Sequence, residues 1–207
     1  MKLIVFGATG GTGSQVVEQA LQAGHEVTVI ARRPSATTIQ HQQLQVVQGD
    51  VFEPATFAGA MKGQDAVVSA LGVATREPTT LYSQGNANIM RAMQAAGVRR
   101  IICISASGLD PGPLWQRWIA KPLLWLILKN MYTDLERMEA AVRDSDLDWT
   151  IMRPPRMTNE PRTGQYHVAV NKHLSRAWKI SRPDLADYIV KHLDDVMIHC
   201  ALVEIAY

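Results

Sequence analysis

Charged residues are sparse in this sequence, and neither sign predominates. They make up 19% of the 207 residues, with 21 lysines and arginines against 19 aspartates and glutamates, so the formal net charge is only +2. Proteins that bind nucleic acid or an anionic membrane through their overall field carry a clear basic excess. The composition therefore predicts no nucleic-acid partner and gives no reason to expect contact with a membrane.

Cysteine is almost absent. Cys103 and Cys200 form no Cys-x-x-Cys pair, and both lie in apolar runs typical of strands. We therefore predict buried, unreactive thiols in a reducing compartment. The six histidines have no spacing that would collect metal ligands, so we predict no metal site.

The sequence also lacks a long uninterrupted apolar run. The run at residues 3–6 is too short for the core of a signal peptide. A longer apolar segment, residues 108–131, does not predict a bilayer-spanning helix. It is interrupted at Gln116, Arg117, Lys121 and Pro122. These features favour a cytoplasmic protein.

Apolar residues nevertheless make up 47% of the chain, enough for the core of one domain. Strand-like runs alternate with helix-like runs, which predicts right-handed βαβ crossovers and a parallel sheet. The predicted strands are residues 2–6, 26–31, 44–48, 66–70, 100–104, 149–152 and 201–205. The predicted helices are residues 12–23, 55–61, 80–96, 131–145 and 183–194. Gly97 is expected to end the third helix in the left-handed conformation, and Ser181 with Pro183 is expected to start the last one. We expect a single α/β domain, 1–207, with a small hairpin from residues 164–170 and 178–180 over the carboxyl edge of the sheet.

A glycine-rich turn, residues 7–13, links the first predicted strand to the first predicted helix. Side chains at Gly7 and Gly10 would block the approach of the backbone to a pyrophosphate, and one at Gly13 would push the helix off the strand. The first N–H groups of the helix then face the anion. This context predicts a dinucleotide-binding loop of a doubly wound, Rossmann-type fold, with an ordinary tight turn as the alternative. We expect cofactor contacts from Gly7, Thr9, Gly10, Gly11, Thr12 and Gly13.

Two arginines, Arg32 and Arg33, follow the second predicted strand. NAD binders usually place a carboxylate here for the ribose 2′-hydroxyl, whereas an arginine pairs with the 2′-phosphate of NADP. A charge-assisted contact of about 1.5–3 kcal/mol gives a roughly ten- to hundredfold preference. We predict NADP(H) as the preferred cofactor and NAD(H) as the second choice, with a solvated basic loop as the alternative.

Further motifs occur in the order found in one known family. They are Gly49-Asp50-Val51, Gln64-Asp65-Ala66-Val67-Val68, Leu71-Gly72, Pro78-Thr79-Thr80, Ser105-Ala106 and Met152-Arg153-Pro154-Pro155. With the glycine-rich turn, they resemble the atypical short-chain dehydrogenase/reductases over most of the chain. The resemblance is to the NAD(P)H-dependent flavin reductase and biliverdin-IXβ reductase group, with NmrA-like proteins as more distant relatives.

The resemblance implies roles at the adenine end of the cofactor. Asp50 and Val51 would meet the adenine, and Arg32 would take the 2′-phosphate. Asp50 lies where the third predicted strand ends, and open parallel sheets bind ligands at that edge. A cap for a helix from Pro54 onward is the alternative for Asp50.

At the nicotinamide end, the resemblance implies that Ala70, Leu71 and Gly72 run beneath the ribose. It also implies that Ser105, after the fifth predicted strand, lies beside the nicotinamide. Ser107 would face the same side as Ser105, so either hydroxyl is a candidate for the functional one.

The conventional enzymes of this superfamily use a Tyr-x-x-x-Lys pair to move a proton, and that pair is absent here. The residues four positions after Tyr82, Tyr132, Tyr166 and Tyr188 are Asn86, Glu136, Val170 and His192. A general acid is worth about 10²–10⁴ in rate, so reduction of an ordinary ketone would be severely slowed. Flavins, quinones and linear tetrapyrroles delocalise the incoming electron pair, so positioning against the nicotinamide would be sufficient, with water as the proton source.

Two features depart from the reductase pattern. Arg156 stands where the pattern has a histidine, and it would either bind a substrate phosphate or carboxylate or form a surface ion pair. The expanded segment 108–131, rich in tryptophan, is interpreted as a substrate lid, as core or dimer packing, or as an interfacial membrane patch. Pro122 is expected to split any helix there.

Three polar residues are the candidate catalytic groups: Ser105, Tyr132 and Arg156. Tyr132 and Asp134 are expected to open the helix that carries the catalytic tyrosine in conventional members, where Tyr132 would approach the substrate or only line the turn. Tyr166 is a weaker candidate at the border of the pocket.

The sequence thus predicts an oxidoreductase that transfers hydride from NADPH to a planar, conjugated acceptor. A flavin or quinone is expected ahead of a tetrapyrrole, and the flavin would be a substrate rather than a bound cofactor. One alternative is an NmrA-like binding protein that senses the redox state of NAD(P). Another is an NAD-dependent epimerase or dehydratase, against which the missing Tyr-x-x-x-Lys pair argues. We expect a monomer or a homodimer.

Overall fold

A mainly parallel sheet with helices on both faces forms the centre of the chain. The computed structural model describes residues 1–73, 75, 77–107, 114–175 and 177–207, with the backbone alone for 114–127. The strands are β1 (Lys2–Phe6), β2 (Glu26–Ala31), β3 (Leu44–Gln48), β4 (Ala66–Ser69), β5 (Arg100–Ile104), β6 (Asp148–Arg153), β7 (Arg156–Thr158), β8 (His167–Val170), β9 (Lys179–Ser181) and β10 (Ala201–Ala206). The helices are α1 (Gly11–Gln22), α2 (Ala58–Met61), α3 (Ser83–Ala96), α4 (Leu114–Arg143) and α5 (Arg182–Lys191).

The strand order of the main sheet is β3-β2-β1-β4-β5-β6-β10-β8. Neighbouring strands are parallel except for β8, which pairs antiparallel with β10. The order reverses direction between β1 and β4, so the connections from these two strands leave toward opposite sides and open a crevice at the carboxyl edge. The predicted doubly wound α/β fold is confirmed.

Alternating side chains of the strands build two hydrophobic cores. Val5 faces a core that includes α1 and α5, whereas Ile4 and Phe6 face a core that includes α3 and α4. Because both faces of the central strands are covered, these strands are apolar along nearly their whole length. Gly97, with φ +74°, ends α3 in the left-handed conformation predicted for it.

Two expectations about local structure were wrong. Residues 164–170 and 178–180 do not pair as a hairpin, because β8 pairs with β10 and β9 pairs in parallel with β7. The partner of β8 is the final strand, β10, and the partner of β9 is β7 (Arg156–Thr158). Local sequence does not reveal either of these distant partners. Pro122 does not split the helix: α4 is continuous from Leu114 to Arg143, so Tyr132 and Asp134 lie within it and do not open it.

The two cysteines differ in their surroundings. Cys103, on β5, is fully buried, and burial raises the pKa of its thiol to about 12, so it is unreactive as expected. Cys200 precedes β10 and is exposed, with φ +51°. The expectation that both thiols are buried was therefore wrong for Cys200, because the apolar run around it begins to enter the sheet only at Ala201.

Over the described residues, none of the helices combines the length and apolar character needed to cross a bilayer. Within the same part of the chain, no group of three or more His, Cys, Asp or Glu side chains is placed to hold a metal ion.

Asp184 fixes the start of α5 at the carboxyl edge. The side chain of Ser181 caps the helix by accepting from the Asp184 amide, as the sequence predicts for this start. The buried carboxylate of Asp184 accepts from Thr163, Gly164 and the Tyr207 hydroxyl. Burial acts to raise the pKa of Asp184, but these donors outweigh it, and the pKa lies below its usual value.

Replacing Asp184 with asparagine is expected to lower the free energy of unfolding at pH 7 by about 1.5–3 kcal/mol, the range for hydrogen bonds to charged groups. Because the folded-state pKa is depressed, this contribution is present above the unfolded-state pKa near 4 and is lost as pH falls through the folded-state value. Urea unfolding at pH 7, 5, 4 and 3 should show the difference between wild type and variant shrinking only below about pH 4. The exposed Asp144→Asn is the control, and a gap that persists unchanged at pH 3 would contradict the prediction.

Candidate functional site

A cavity of about 460 Å³ lies at the carboxyl edge of the sheet, where the strand order reverses. The loops after β1, β2, β3 and β4 line it, together with Ile104, Met157 and Arg182. It gathers most of the residues that the sequence predicts as cofactor contacts. These are Gly7, Thr9, Gly10, Gly11, Thr12, Arg32, Asp50, Val51, Ala70, Leu71 and Gly72.

The N-terminus of α1 opens into this cavity. Its N-cap residue is Gly10, and no side chain caps the helix. The first N–H groups of a helix have no partner within it, so at α1 they remain available to an anion. By contrast, the Asp134 carboxylate accepts from the Tyr82 amide at the start of α3, and the Ser181 hydroxyl caps the start of α5. The charge preference of a helix N-terminus is therefore left for a ligand at α1.

The surroundings of Gly7, Gly10 and Gly13 differ in how strongly they exclude a side chain. At Gly7, φ is +78°, and a Cβ would lie 2.2 Å from the carbonyl oxygen of Ala70. A Cβ at Gly13 would lie 2.3 Å from the carbonyl oxygen of Gly7, so the predicted packing of helix on strand is confirmed. A Cβ at Gly10 would meet only the Gly7 oxygen, at 3.3 Å. Of the three, Gly10 is the one whose side-chain position is closest to free, which leaves room there for a bound group.

The two predicted arginines are placed differently. Both are exposed, but Arg32 lines the cavity, whereas Arg33 is not among the described lining residues and precedes a single 3₁₀ turn at Pro34–Ala36. Within the described part of the chain, no carboxylate lies within 4 Å of the Arg32 guanidinium. An unpaired guanidinium at the rim suits an added phosphate.

Asp50 and Val51 form the floor of the cavity after β3. The Asp50 carboxylate accepts from the amide of Phe52 at 2.9 Å, so it closes a local turn and does not cap the helical turn at Pro54, whose N-cap is Glu53. The carbonyl of Val51 accepts from the buried Asn88 on α3 at 2.7 Å. The backbone of residues 50–52 is therefore held by two polar side chains, those of Asp50 and Asn88.

The stretch 70–72 leaves β4 along the cavity and is fastened further on by Tyr82. The Tyr82 hydroxyl accepts from the Val73 amide at 3.2 Å, and burial raises the pKa of this phenol. The amides of Tyr82 and Ser83 in turn donate to the buried Asp134 of α4, which also accepts from the Ser83 hydroxyl. Asp134 thus caps α3, a neighbouring helix, and not the start of its own.

Ser105 follows β5 and is buried in a charged network. Its hydroxyl donates to Glu139 Oε1 at 2.6 Å, and Glu139 forms an ion pair with Arg153 at the end of β6. Ser105 directly follows Ile104, which lines the cavity, although Ser105 is not among the described lining residues. The nearby Ser107 uses its amide to continue the backbone pairing, donating to the carbonyl of Pro154.

The other predicted side chains lie outside the described lining of the cavity. Tyr132 is buried among apolar residues of α3 and α4, and burial raises the pKa of its phenol. Arg156 opens β7 and is exposed, with Glu160 in its vicinity. The hydroxyl of Tyr166 donates to Asp187 at 2.7 Å, so it fastens a loop to α5. The segment 108–113 and the side chains of 114–127 lie outside what the structure describes.

A family model for NAD(P)H-binding proteins matches residues 7–196. The chain belongs to this NAD(P)H-binding family. Membership confirms the resemblance to the atypical short-chain dehydrogenase/reductases, an oxidoreductase group whose members bind NAD(P)H.

This chain is similar in sequence to several known proteins and in fold to solved structures. It is 27% identical over 200 residues to YwnB of Bacillus subtilis, covering 95% of this chain and 92% of that one. It is 31% identical over 153 residues to (4-alkanoyl-5-oxo-2,5-dihydrofuran-3-yl)methyl phosphate reductase of Streptomyces griseus, covering 73% of this chain and 46% of the reductase. The fold also matches ChuY, an anaerobillin reductase from Escherichia coli O157:H7, with TM-score 0.81, 21% identity and coverage of 100% and 97%.

The cavity fits the dinucleotide of the NAD(P)H-binding family on its own features. The uncapped start of α1 offers N–H groups for a diphosphate, and Gly10 leaves space for it. Arg32, after β2, and the 70–72 stretch, after β4, line the same cavity.

Sequence reasoning missed Arg182 and Glu139. Arg182 begins α5 and passes over the glycine-rich turn, where a Cβ at Gly11 would lie 2.8 Å from its Cδ. It also donates to the Asn159 side chain at 2.7 Å. The predicted helix start at residues 181–183 was the available signal, but the approach of this start to α1 depends on the packing of α1 on α5. Glu139 was hidden because nothing local marks it as the partner of Ser105.

Proposed function

We propose that this protein is an NADPH-dependent reductase that passes hydride to a planar, conjugated acceptor, with a flavin or quinone ahead of a tetrapyrrole. The observation that supports the proposal is a cavity that gathers most of the predicted cofactor contacts, in a sequence that has no Tyr-x-x-x-Lys pair. The two characterised relatives named above are reductases of small molecules, one of a furanone phosphate and one of a tetrapyrrole, which supports hydride transfer to a conjugated system.

At the adenine end, we propose that Arg32 binds the 2′-phosphate and that Asp50 and Val51 contact the adenine and its ribose. The amides at the start of α1 hold the diphosphate, and Arg182 adds a cation above it. Arg33 is not among the described lining residues of the cavity, so we propose that it adds only a positive charge near the 2′-phosphate.

At the nicotinamide end, the bound cofactor supplies a hydride. The chain supplies position: Ala70, Leu71 and Gly72 support the ribose, and Ser105 lies beside the ring. Tyr132 remains a prediction as a residue that borders the acceptor; burial raises the pKa of its phenol. Since Glu136 and not a lysine stands four residues after Tyr132, we propose that water supplies the proton for the acceptor. Arg156, at the start of β7, remains a prediction as a contact for an acidic group of the acceptor.

The test is a panel assay in which purified protein and NADPH are mixed with FMN, riboflavin, quinones and biliverdins. We expect oxidation of NADPH, followed by its absorbance, with at least one conjugated acceptor and at a higher kcat/KM than with NADH. Simple ketones should be poor substrates, by about 10²–10⁴, because the general acid is missing. Failure of every acceptor to oxidise NADPH would reject the activity.

The second candidate is a binding protein that senses NADP against NADPH or NAD. The missing proton-relay pair favours it as well, because sensing needs no proton transfer. Submicromolar cofactor binding without turnover in the panel assay would favour the sensor over the reductase.

A further inference from the structure

The hydroxyl of Ser105 has one proton, and the structure shows where it is used. The hydroxyl and the Glu139 carboxylate are 6% and 5% exposed as residues, and the donor–acceptor distance is 2.6 Å. Glu139 also accepts from Arg153, through Nε at 3.0 Å and through a terminal nitrogen. Glu139 is thus the carboxylate of an ion pair with Arg153, and a carboxylate can only accept hydrogen bonds.

Turning the Ser105 proton elsewhere would remove a donor from a buried carboxylate. Such a loss costs more than the hydrogen bond itself contributes, since water cannot replace the donor. The hydroxyl is therefore fixed as a donor toward Glu139. Toward any other neighbour, the Ser105 oxygen can only accept a hydrogen bond through its lone pairs.

We propose that Ser105 acts toward the bound ligand as a hydrogen-bond acceptor and that Glu139 is the positioning residue that sets this role. The site therefore selects a ligand that presents an N–H or O–H donor beside the end of β5. The inference rests on the proposed function, which places the nicotinamide and the acceptor there. It also means that Ser105 is not the proton source for the reaction.

Two groups offer such a donor, namely the carboxamide NH₂ of the nicotinamide and a ring N–H of the acceptor. For the first, the affinities of NADP⁺ and of its 3-acetylpyridine analogue would be measured by fluorescence titration. The analogue keeps the carbonyl oxygen but has a methyl group in place of the amide. For the second, kcat/KM would be compared for a flavin and its N3-methyl derivative.

In wild type, one of these pairs should show a preference for the donor-bearing ligand. Ser105→Ala is expected to reduce that preference by about two- to tenfold, the effect of one neutral hydrogen bond. A change in the cofactor pair identifies the carboxamide, and a change in the flavin pair identifies the acceptor. If Ser105→Ala leaves both ratios unchanged, or if Ser107→Ala changes them instead, the proposal is overturned.

The role of Glu139 is tested with the double variant Glu139→Met and Arg153→Met, which removes the Glu139 carboxylate together with its ion-pair partner, because a buried charge left without its partner is destabilising. Ser105 is then free to donate, and the preference should fall as in Ser105→Ala although the serine is still present. A purely structural role for Glu139 would leave the ratio at its wild-type value. Ser145→Ala, which removes a hydroxyl bonded to Val142 at the far end of α4, is the matched control.

The cofactor arm requires binding but no turnover. If the panel assay fails while the NADP⁺ ratio responds to Ser105→Ala, the reductase proposal is rejected and the acceptor role of Ser105 stands. Thermal unfolding of each variant shows whether it is folded under the conditions of the titration.

Discussion

Gly13→Ala is expected to weaken NADPH binding by more than about a hundredfold, because two or more charge-assisted contacts of about 1.5–3 kcal/mol each depend on the position of α1. The new Cβ would lie 2.3 Å from the carbonyl oxygen of Gly7, and both partners are backbone, so the helix must move away from β1. The same overlap should lower the free energy of unfolding by about 1–3 kcal/mol. Fluorescence titration with NADPH and urea unfolding measure the two effects.

Gly59→Ala is the matched control for this substitution. Gly59 lies in α2, and a Cβ there meets nothing within 4 Å. The variant should bind NADPH as wild type does and be equally or slightly more stable, since alanine favours a helix over glycine. Wild-type affinity in Gly13→Ala would show that the turn does not hold the diphosphate.

Arg32→Ala is expected to weaken NADPH binding by about ten- to hundredfold and NADH binding by little, which is the value of one lost contact between a guanidinium and a phosphate. Arg32 lines the cavity and has no carboxylate partner among the described residues, so its removal leaves no buried charge unpaired. Parallel titrations with the two reduced cofactors measure the change in selectivity.

Arg33→Ala provides the comparison, because Arg33 has the same charge one residue further on and is not among the described lining residues of the cavity. Its effect on selectivity should be severalfold smaller than that of Arg32→Ala. Equal losses of NADPH and NADH affinity in Arg32→Ala would refute the 2′-phosphate assignment. A larger effect at Arg33 would transfer the assignment to that residue.

The parts of the fold that depend on short stretches of chain were predictable from sequence. The strand, glycine-rich turn and helix at residues 2–23 are contiguous, so the local pattern was enough to predict the turn that lines the cavity. The stop at Gly97 and the start of α5 at Ser181 were likewise signalled by residues at the positions concerned.

The errors concern contacts between distant segments. Nothing near Cys200 indicates that the chain is still in a turn there, and nothing near residues 164–170 names the last strand as their partner. The continuity of α4 through Pro122 goes against the local preference of proline, which disfavours a helix interior. The site follows the same division: Arg32 was found from its place after β2, whereas Arg182 and Glu139 required the packing of whole helices.

Hydrogen bonds of Tyr82 link the segment that follows β4 to the long helix α4. Val73 is bonded to the phenol, the amide of the same tyrosine is bonded to Asp134, and Asp134 belongs to α4. A displacement of the chain above β4 must therefore stretch these bonds or carry α4 with it. A change in the position of residues 70–73 would thus be transmitted to a helix that begins at Leu114, about forty residues further along the chain.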